Sequence, residues 1–267
     1  MIRACIFDLC GTIVDKYSLI PFLSLKSTFQ MKNIDINNKL IFKEMGSHKL
    51  DHIKYILNDP YVSRQWFNKY GRGHSITDVE YLFYDFHKNQ EKNYNLYMNI
   101  IPETKNAIKI VQNSGIKCGI TTELEFSTMD LIRNQLEESD IYLNSYVSST
   151  CLNNVIRPIA SMIIENMERL NISNPRDIIK IDDTCIGIKE GKNANCWTIG
   201  VSRWSINMGI KSFDEILELD KRTIIQKNKE SRKILLQSGA DFVIDTLDEL
   251  PNIIDIINGR KILYRGI

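Results

Sequence analysis

Short apolar runs recur along the chain, each closed by polar or small residues: Ala4–Phe7, Cys118–Ile120, Ile178–Ile181, Trp197–Val201 and Phe242–Ile244. They are too short for helices and read as buried strands. Helix-length segments, Ser127–Gln135, Ala160–Leu170 and Ile188–Ala194, lie between the later runs. Strand and helix in alternation predict right-handed βαβ units and an α/β, doubly wound parallel sheet. Such sheets carry their chemistry at the carboxyl ends of the strands.

The rhythm breaks between about residues 18 and 97. Apolar residues there follow helical spacing (Ile53, Ile56, Leu57; Val79, Leu82, Phe83, Phe86), and no buried strand is evident. The reading is a helical cap, 20–97, inserted into a core domain made of 1–19 and 98–267. Aromatics are dense in the insertion (Tyr61, Trp66, Phe67, Tyr70, Tyr81, Phe83, Tyr84, Phe86, Tyr94, Tyr97). They are expected to form mostly its core, with some left for a lid surface or a dimer contact. Glu215–Leu236 reads as one amphipathic helix whose Lys227, Lys229, Arg232 and Lys233 form a solvated face.

Composition adds exclusions more than assignments. Hydrophobic residues make up 43% of the 267, charged residues 25%, and the net charge is +1. No strong field points to nucleic acid or to an acidic membrane surface. The six cysteines show no paired spacing and several lie in apolar runs, which predicts free thiols in a reducing, cytoplasmic setting. The N-terminal apolar stretch is broken by Arg3 and Asp8, so it is neither a secretory signal nor a span.

Candidate chemistry begins at Ile6–Asp15, IFDLCGTIVD. Asp8 closes the first strand, and Gly11-Thr12 permits a tight turn. A carboxylate there can attack phosphorus, bind a divalent cation, or cap the next helix. Other strand ends favour the first two. Thr121 and Thr122 offer hydroxyls, Arg157 a fixed cation able to grip an oxyanion, and Asp182-Asp183 paired acids suited to Mg²⁺. A nucleophile, a hydroxyl, a cation and metal acids on successive strand ends describe phosphoryl transfer through an aspartyl-phosphate.

That order resembles the haloacid dehalogenase superfamily, whose members carry a lid inserted at this place. The lid segment Glu44–Ile53, EMGSHKLDHI, resembles the MGxxKxDH segment of the phosphonoacetaldehyde hydrolase (phosphonatase) family, and the likeness continues through Lys189–Ala194, Trp197–Val201 and Ser238–Thr246. The resemblance implies hydrolysis of the P–C bond of phosphonoacetaldehyde to acetaldehyde and phosphate. A phosphatase of the superfamily has a second acid two residues after its nucleophile, to protonate an oxygen leaving group. Here that residue is Cys10, which suits a leaving group that is not an alkoxide. By the same resemblance Asp8 is the nucleophile, Lys49 forms a Schiff base with the aldehyde, and His52 shuttles protons or orients. Met45 lines the aldehyde pocket, and Thr122, Arg157, Gly11 and Thr12 bind the phosphoryl end. Asp8, the Cys10 carbonyl and Asp183 hold Mg²⁺, and a homodimer forms through the cap.

Departures from the family pattern cluster at the site. A loop expected to read T-T-G-Y is Thr121-Thr122-Glu123-Leu124, and one expected to read G-D-T-x-x-D is Asp182-Asp183-Thr184-Cys185-Ile186-Gly187. Ser18 stands where a cysteine is expected. Two alternatives stay open at this level: a paralogue hydrolysing another phosphonate or phosphate, and a non-catalytic binding protein that keeps the fold.

Overall fold

The computed structural model describes residues 1–152 and 155–265, so positions 153, 154, 266 and 267 of the expected core range lie outside the described residues. Six strands form one parallel sheet: β1 (Ala4–Phe7), β2 (Lys117–Thr122), β3 (Ser145–Ser148), β4 (Ile178–Asp182), β5 (Trp197–Val201) and β6 (Phe242–Ile244). Their order is β3-β2-β1-β4-β5-β6. The direction of winding reverses beside β1, which is where an open parallel sheet leaves a crevice at its carboxyl edge. β3 was not predicted from the sequence. It is an edge strand reading Ser-Tyr-Val-Ser, and its hydroxyls hide it from a search for apolar runs.

Five helices follow β1 before the chain returns: α1 (Leu19–Met31), α2 (Asn38–Lys43), α3 (Lys49–Leu57), α4 (Pro60–Tyr70) and α5 (Ile76–Tyr97). Local chemistry sets their starts. Asp59 accepts the Tyr61 and Val62 N–H groups ahead of Pro60 at the first turn of α4, and Ser75 and Asp78 form a reciprocal capping box on α5. Where the chain leaves β1 for α1, Asp15, Tyr17 and Ser18 all have left-handed backbones, φ 54°, 64° and 49°. Non-glycine residues hold such conformations only when their surroundings enforce them. Here the Tyr17 N–H donates to the Trp204 carbonyl (2.6 Å) and the buried Asp15 carboxylate accepts the Ile20 N–H (3.2 Å).

The remaining helices cover the sheet: α6 (Thr104–Asn113), α7 (Phe126–Glu138), α8 (Ser161–Arg169), α9 (Cys185–Asn193), α10 (Phe213–Glu218), α11 (Lys221–Gln237) and α12 (Leu250–Arg265). The single helix expected over 215–236 is two, because Leu219 is extended and Asp220 caps α11 by accepting the Thr223 N–H. Nor is its basic face wholly solvated: Arg232 reaches Asp245 (2.5 Å) and the Val243 carbonyl (2.8 Å), fastening α11 to β6.

The cap core is mostly aliphatic, with Phe22, Phe29, Trp66 and Phe86. The expectation that the inserted aromatics fill it is corrected: Tyr61, Phe67, Tyr70, Tyr81, Tyr84 and Tyr97 are exposed. Ile206, Met208 and Ile210, which follow β5, pack into the same cluster, so helices and sheet share an apolar seam.

One buried amide ties the sheet to α8. Asn166 Nδ2 donates to the Ile120 carbonyl of β2 (2.8 Å) and to the Met162 carbonyl (3.0 Å). Asn166→Ala is expected to lower folding stability by about 1–3 kcal/mol, read by urea denaturation, because it strips a buried carbonyl of a partner.

Candidate active site

Strand register assembles the site. Phe7 lies opposite Ile120 and Ile181, so the next residues of three adjacent strands, Asp8, Thr121-Thr122 and Asp182-Asp183, converge on one edge. The Asp8 N–H donates to the Ile181 carbonyl (2.9 Å), which carries the β1 ladder up to the carboxylate.

A buried ion network lies beneath them. Arg157 Nη1 donates to Asp8 Oδ1 (2.7 Å), Nη2 to the Thr121 carbonyl (2.8 Å) and hydroxyl (2.7 Å), and Nε lies 2.8 Å from Glu190 Oε2. Lys180, fully buried in β4, donates to the Thr121 hydroxyl (2.6 Å) and lies 2.9 Å from Asp182 and 3.7 Å from Glu190. Lys180 and Glu190 were not among the site residues expected from sequence. A lysine in the middle of Ile178–Ile181 was the available signal, since a buried strand admits such a charge only with partners.

The network's charge does not balance by itself. With every group ionised, Asp8, Asp182, Asp183 and Glu190 would set four negative charges against the two of Arg157 and Lys180, an excess of two. Burial and the neighbouring Asp182 push Asp8 up to about 6, and burial with Asp182 and Asp8 pushes Asp183 well above the carboxylate range. Asp8, Asp182 and Asp183 each offer an oxygen within 4.8 Å of the others. Asp183 Oδ2 accepts the Ile206 N–H (3.0 Å), while its buried Oδ1 has no partner among the described residues. Hard carboxylate oxygens, acids that resist ionisation while no cation faces them, and an orphaned acceptor fit a divalent cation such as Mg²⁺.

Asp182 serves the network in a second way. Its Oδ1 accepts the Thr184 N–H (2.9 Å) and hydroxyl (2.7 Å), and the Thr184 hydroxyl in turn caps α9 by accepting the Gly187 N–H (3.1 Å). A Cβ added to Gly187 would fall 1.9 Å from Asp182 Oδ2. The Asp182 carboxylate therefore fills the space that a side chain at 187 would enter, the position where the resemblance leads one to expect an aspartate.

Above the strand ends lies a small cavity, lined by Asp8, Thr122 and Arg157 from the core and Met45, Gly46 and Lys49 from the cap, with Gln90, Glu123 and Leu124 among its other walls. Gly46, at φ 91°, sits so close to Thr184 and Ile186 that a Cβ would lie within 2.9 Å of both. This is where cap backbone meets the core loop. Lys49 opens α3 and is buried, with Nζ donating to the Ser47 carbonyl (3.0 Å). Burial lowers its amine to about 8; Glu123, Cys10 and Asp8 oppose that fall and Arg157 adds to it. Glu123 is oriented by its Oε1, which accepts the Arg157 N–H (2.9 Å).

His52 is fully buried one turn beyond Lys49. Its Nε2 lies 3.1 Å from the Leu40 carbonyl and so carries the proton, and burial with Lys49 lowers it to about 3. A neutral ring in that setting orients α3; as a proton carrier it would have to charge against Lys49. The Cys10 thiol is pushed up by burial and sits 2.8 Å from the Tyr94 hydroxyl of α5. Gly11 spends its N–H on the Val14 and Asp15 carbonyls (2.8 and 3.0 Å), and Thr12 is fully buried. Neither lines the cavity, and the buried Thr12 hydroxyl has no partner among the described residues. His87, without a named partner at the level of sequence, lies 3.4 Å from Glu125.

Comparison with known proteins agrees with this geometry. Residues 5–201 match the family model described as haloacid dehalogenase-like hydrolase. The chain is 32% identical over 262 residues to a phosphonoacetaldehyde hydrolase of Parabacteroides distasonis, covering 97% of this chain and 98% of that one. It is also 32% identical to a phosphonoacetaldehyde hydrolase of Latilactobacillus sakei, covering 95% of each. A crystal structure of a phosphonoacetaldehyde hydrolase-like protein from Oleispira antarctica superposes with a TM-score of 0.91 at 26% identity, over 100% of this chain and 95% of that one.

The packing of Asp182 against Gly187 yields a reciprocal test. Gly187→Asp alone is expected to weaken Mg²⁺ binding and to cost about 3 kcal/mol or more, since it forces one buried carboxylate against another. Asp182→Gly alone should cost a similar amount by leaving Lys180 short of a partner. The double variant, Asp182→Gly with Gly187→Asp, is expected to recover most of both losses. Calorimetric Mg²⁺ titration and urea denaturation check it, and additive losses in the double variant would contradict it.

Proposed function

The chain belongs to the phosphonoacetaldehyde hydrolase family of the haloacid dehalogenase-like hydrolases, and on that premise we propose that it cleaves the P–C bond of phosphonoacetaldehyde, releasing acetaldehyde and phosphate. The observation that carries this reading is the pairing of two buried groups in one cavity: a carboxylate, Asp8, and an amine, Lys49, lowered to about 8.

The chemistry needs both. A P–C bond breaks heterolytically only if carbon can accept the electron pair. The Lys49 amine condenses with the aldehyde, water leaves, and the resulting iminium is the acceptor. One Asp8 oxygen is held by Arg157, which leaves the other to attack phosphorus. The P–C pair then flows into an enamine, which is protonated and hydrolysed to acetaldehyde, while water releases phosphate from Asp8. Arg157 and the Thr122 hydroxyl face the phosphoryl oxygens. Met45 and Leu124 wall the carbon end and keep water from the iminium, and neutral His52 fixes the helix that presents Lys49. The thiol at Cys10, held neutral against Tyr94, is a poor acid for an alkoxide, in keeping with a carbon leaving group. Asp8, Asp183 and the Cys10 carbonyl would hold Mg²⁺, which when bound neutralises phosphoryl charge.

Glu123 fits this scheme in spite of its sign. With Oε1 on the Arg157 N–H, it opposes the fall in the Lys49 amine without cancelling it, so that burial still brings the amine to about 8 and leaves a fraction of it free to attack. Dimerisation through the cap is part of the same proposal, and the exposed rings of α4 and α5 (Tyr61, Phe67, Tyr81, Tyr84) are the surface it would cover. No helix among the described residues is long and apolar enough to cross a membrane.

Purified protein with Mg²⁺ and phosphonoacetaldehyde is expected to release acetaldehyde in a coupled assay, and Lys49→Arg and Asp8→Ala should each lower the rate by roughly 10³-fold or more. Borohydride should link the substrate to Lys49 in the wild-type chain. Because the free amine is the reacting form, trapping should rise about tenfold per pH unit up to about 8 and level off above it. A folded, Mg²⁺-loaded chain that turned over an aryl phosphate but released no acetaldehyde would transfer the site to another substrate.

A further inference from the structure

The face that α5 turns toward the site carries His87, Gln90 and Tyr94, spaced about a helical turn apart. Tyr94 is engaged with Cys10, while His87, lowered to about 4 by burial, lies 3.4 Å from Glu125 without a hydrogen bond. Gln90 is only 1% exposed, yet neither its Nε2 nor its Oε1 has a hydrogen-bond partner among the described residues. The neighbouring amides of the same helix are satisfied by hydroxyls of α1: Asn89 Nδ2 donates to Thr28 (3.1 Å) and Asn93 Nδ2 to Ser24 (2.8 Å). Gln90 instead lines the cavity that holds Lys49, Met45 and Asp8. A buried amide with both ends unspent costs stability, and native chains seldom carry one without a use.

Resting on the function proposed above, we infer that Gln90 contacts the substrate, holding the carbonyl oxygen while Lys49 adds to the carbonyl carbon. The phosphoryl end of the cavity already has charged partners in Arg157 and the metal-binding acids, which leaves the carbonyl end for a neutral group. A primary amide suits the event at that end because it both donates and accepts. Before addition the oxygen is only an acceptor and takes an N–H from Gln90. As the Nζ lone pair forms the C–N bond, the carbonyl π pair moves to oxygen and the proton lost by Nζ ends there. The oxygen is then a hydroxyl, which the Gln90 carbonyl can accept from. A carboxylate in this place would repel the forming alkoxide, and a second ammonium would compete with Lys49. The substrate class selected is therefore a phosphonate bearing an aldehyde or ketone within reach of Lys49. A saturated phosphonate gains nothing from Gln90.

Gln90→Met keeps the length and removes both polar ends, and three readouts separate the outcomes. The concentration of phosphonoacetaldehyde giving half-maximal borohydride trapping at Lys49 should rise at least tenfold. The dissociation constant of ethylphosphonate, which has no carbonyl, should stay within twofold. The melting midpoint of the ligand-free protein should hold or rise by about 2–4 °C as an unpaired buried amide is removed. Unchanged trapping in the variant overturns the inference, as does an equal loss for ethylphosphonate, which would make Gln90 a wall and not a carbonyl contact. A fall of several degrees in the midpoint would also overturn it, by giving the amide a structural duty. Failure of the wild-type chain to trap phosphonoacetaldehyde at all would overturn the function proposed above and this inference with it. Trapping by both chains alike would overturn only the inference.

Discussion

The guanidinium of Arg157 is the hub on which the site depends. It touches the end of β1 through Asp8, the end of β2 through both the carbonyl and hydroxyl of Thr121, and the second half of α9 through Glu190. Three elements that share no sequence neighbourhood are thereby held in register at their carboxyl edge. Taking that many charges out of water costs several kcal/mol per ion before any attraction is counted. The cost is offset by pairing, since Asp8 and Glu190 each lie within 3 Å of Arg157 and Asp182 within 3 Å of Lys180, which supplies what Arg157 cannot reach. Arginine suits the place better than lysine would, since one planar group addresses several acceptors at once and cannot be neutralised by burial.

The same enclosure sets the tone of the cap. Lys49 is buried by helices that fold over the strand ends, and its amine is softened by the loss of water more than by any single neighbour. The left-handed backbone of Asp15, Tyr17 and Ser18 and the contact of Gly46 with Thr184 and Ile186 fix how closely those helices approach. Because Ile206, Met208 and Ile210 belong to the cap's apolar cluster, the approach is also governed by the loop that follows β5. That loop carries the Ile206 N–H bound to Asp183. Metal acid, cap packing and lysine burial are thus adjustments of one seam.

Much of this was legible in the chain alone. Five apolar runs disclosed five strands, and those closed by Asp8, Thr122 and Asp182 the edge at which the site lies, because burial on both faces leaves an unmistakable run of aliphatic residues. The segment Met45–His52 located the cap lysine. What escaped was of two kinds. Elements held by polar or edge contacts left no periodic trace: β3 is half hydroxyl, and the break before α11 rests on one capping aspartate. Partnerships across space left no trace either. Lys180 looks like an anomaly in a strand until Glu190 and Asp182 are found around it, and Gln90 is one amide among several on α5 until its neighbours prove to be satisfied and it does not. The exposed tyrosines of α4 and α5 show the converse error, since aromatic density marks apolar surface without saying which side of the molecule it covers.

The carboxylate at 182 and the bare Cα at 187 have a bearing on descent. An acid at 187 and the acid at 182 would put a negative charge in the same space, one from a helix and the other from the end of a strand. Position-by-position comparison would record one acid lost and an unrelated one gained. Since neither exchange fits without the other, a lineage could not have crossed between the two arrangements by either single step at no cost. An intermediate crowded with both acids, or stripped of both, would have to be carried on stability held in reserve elsewhere.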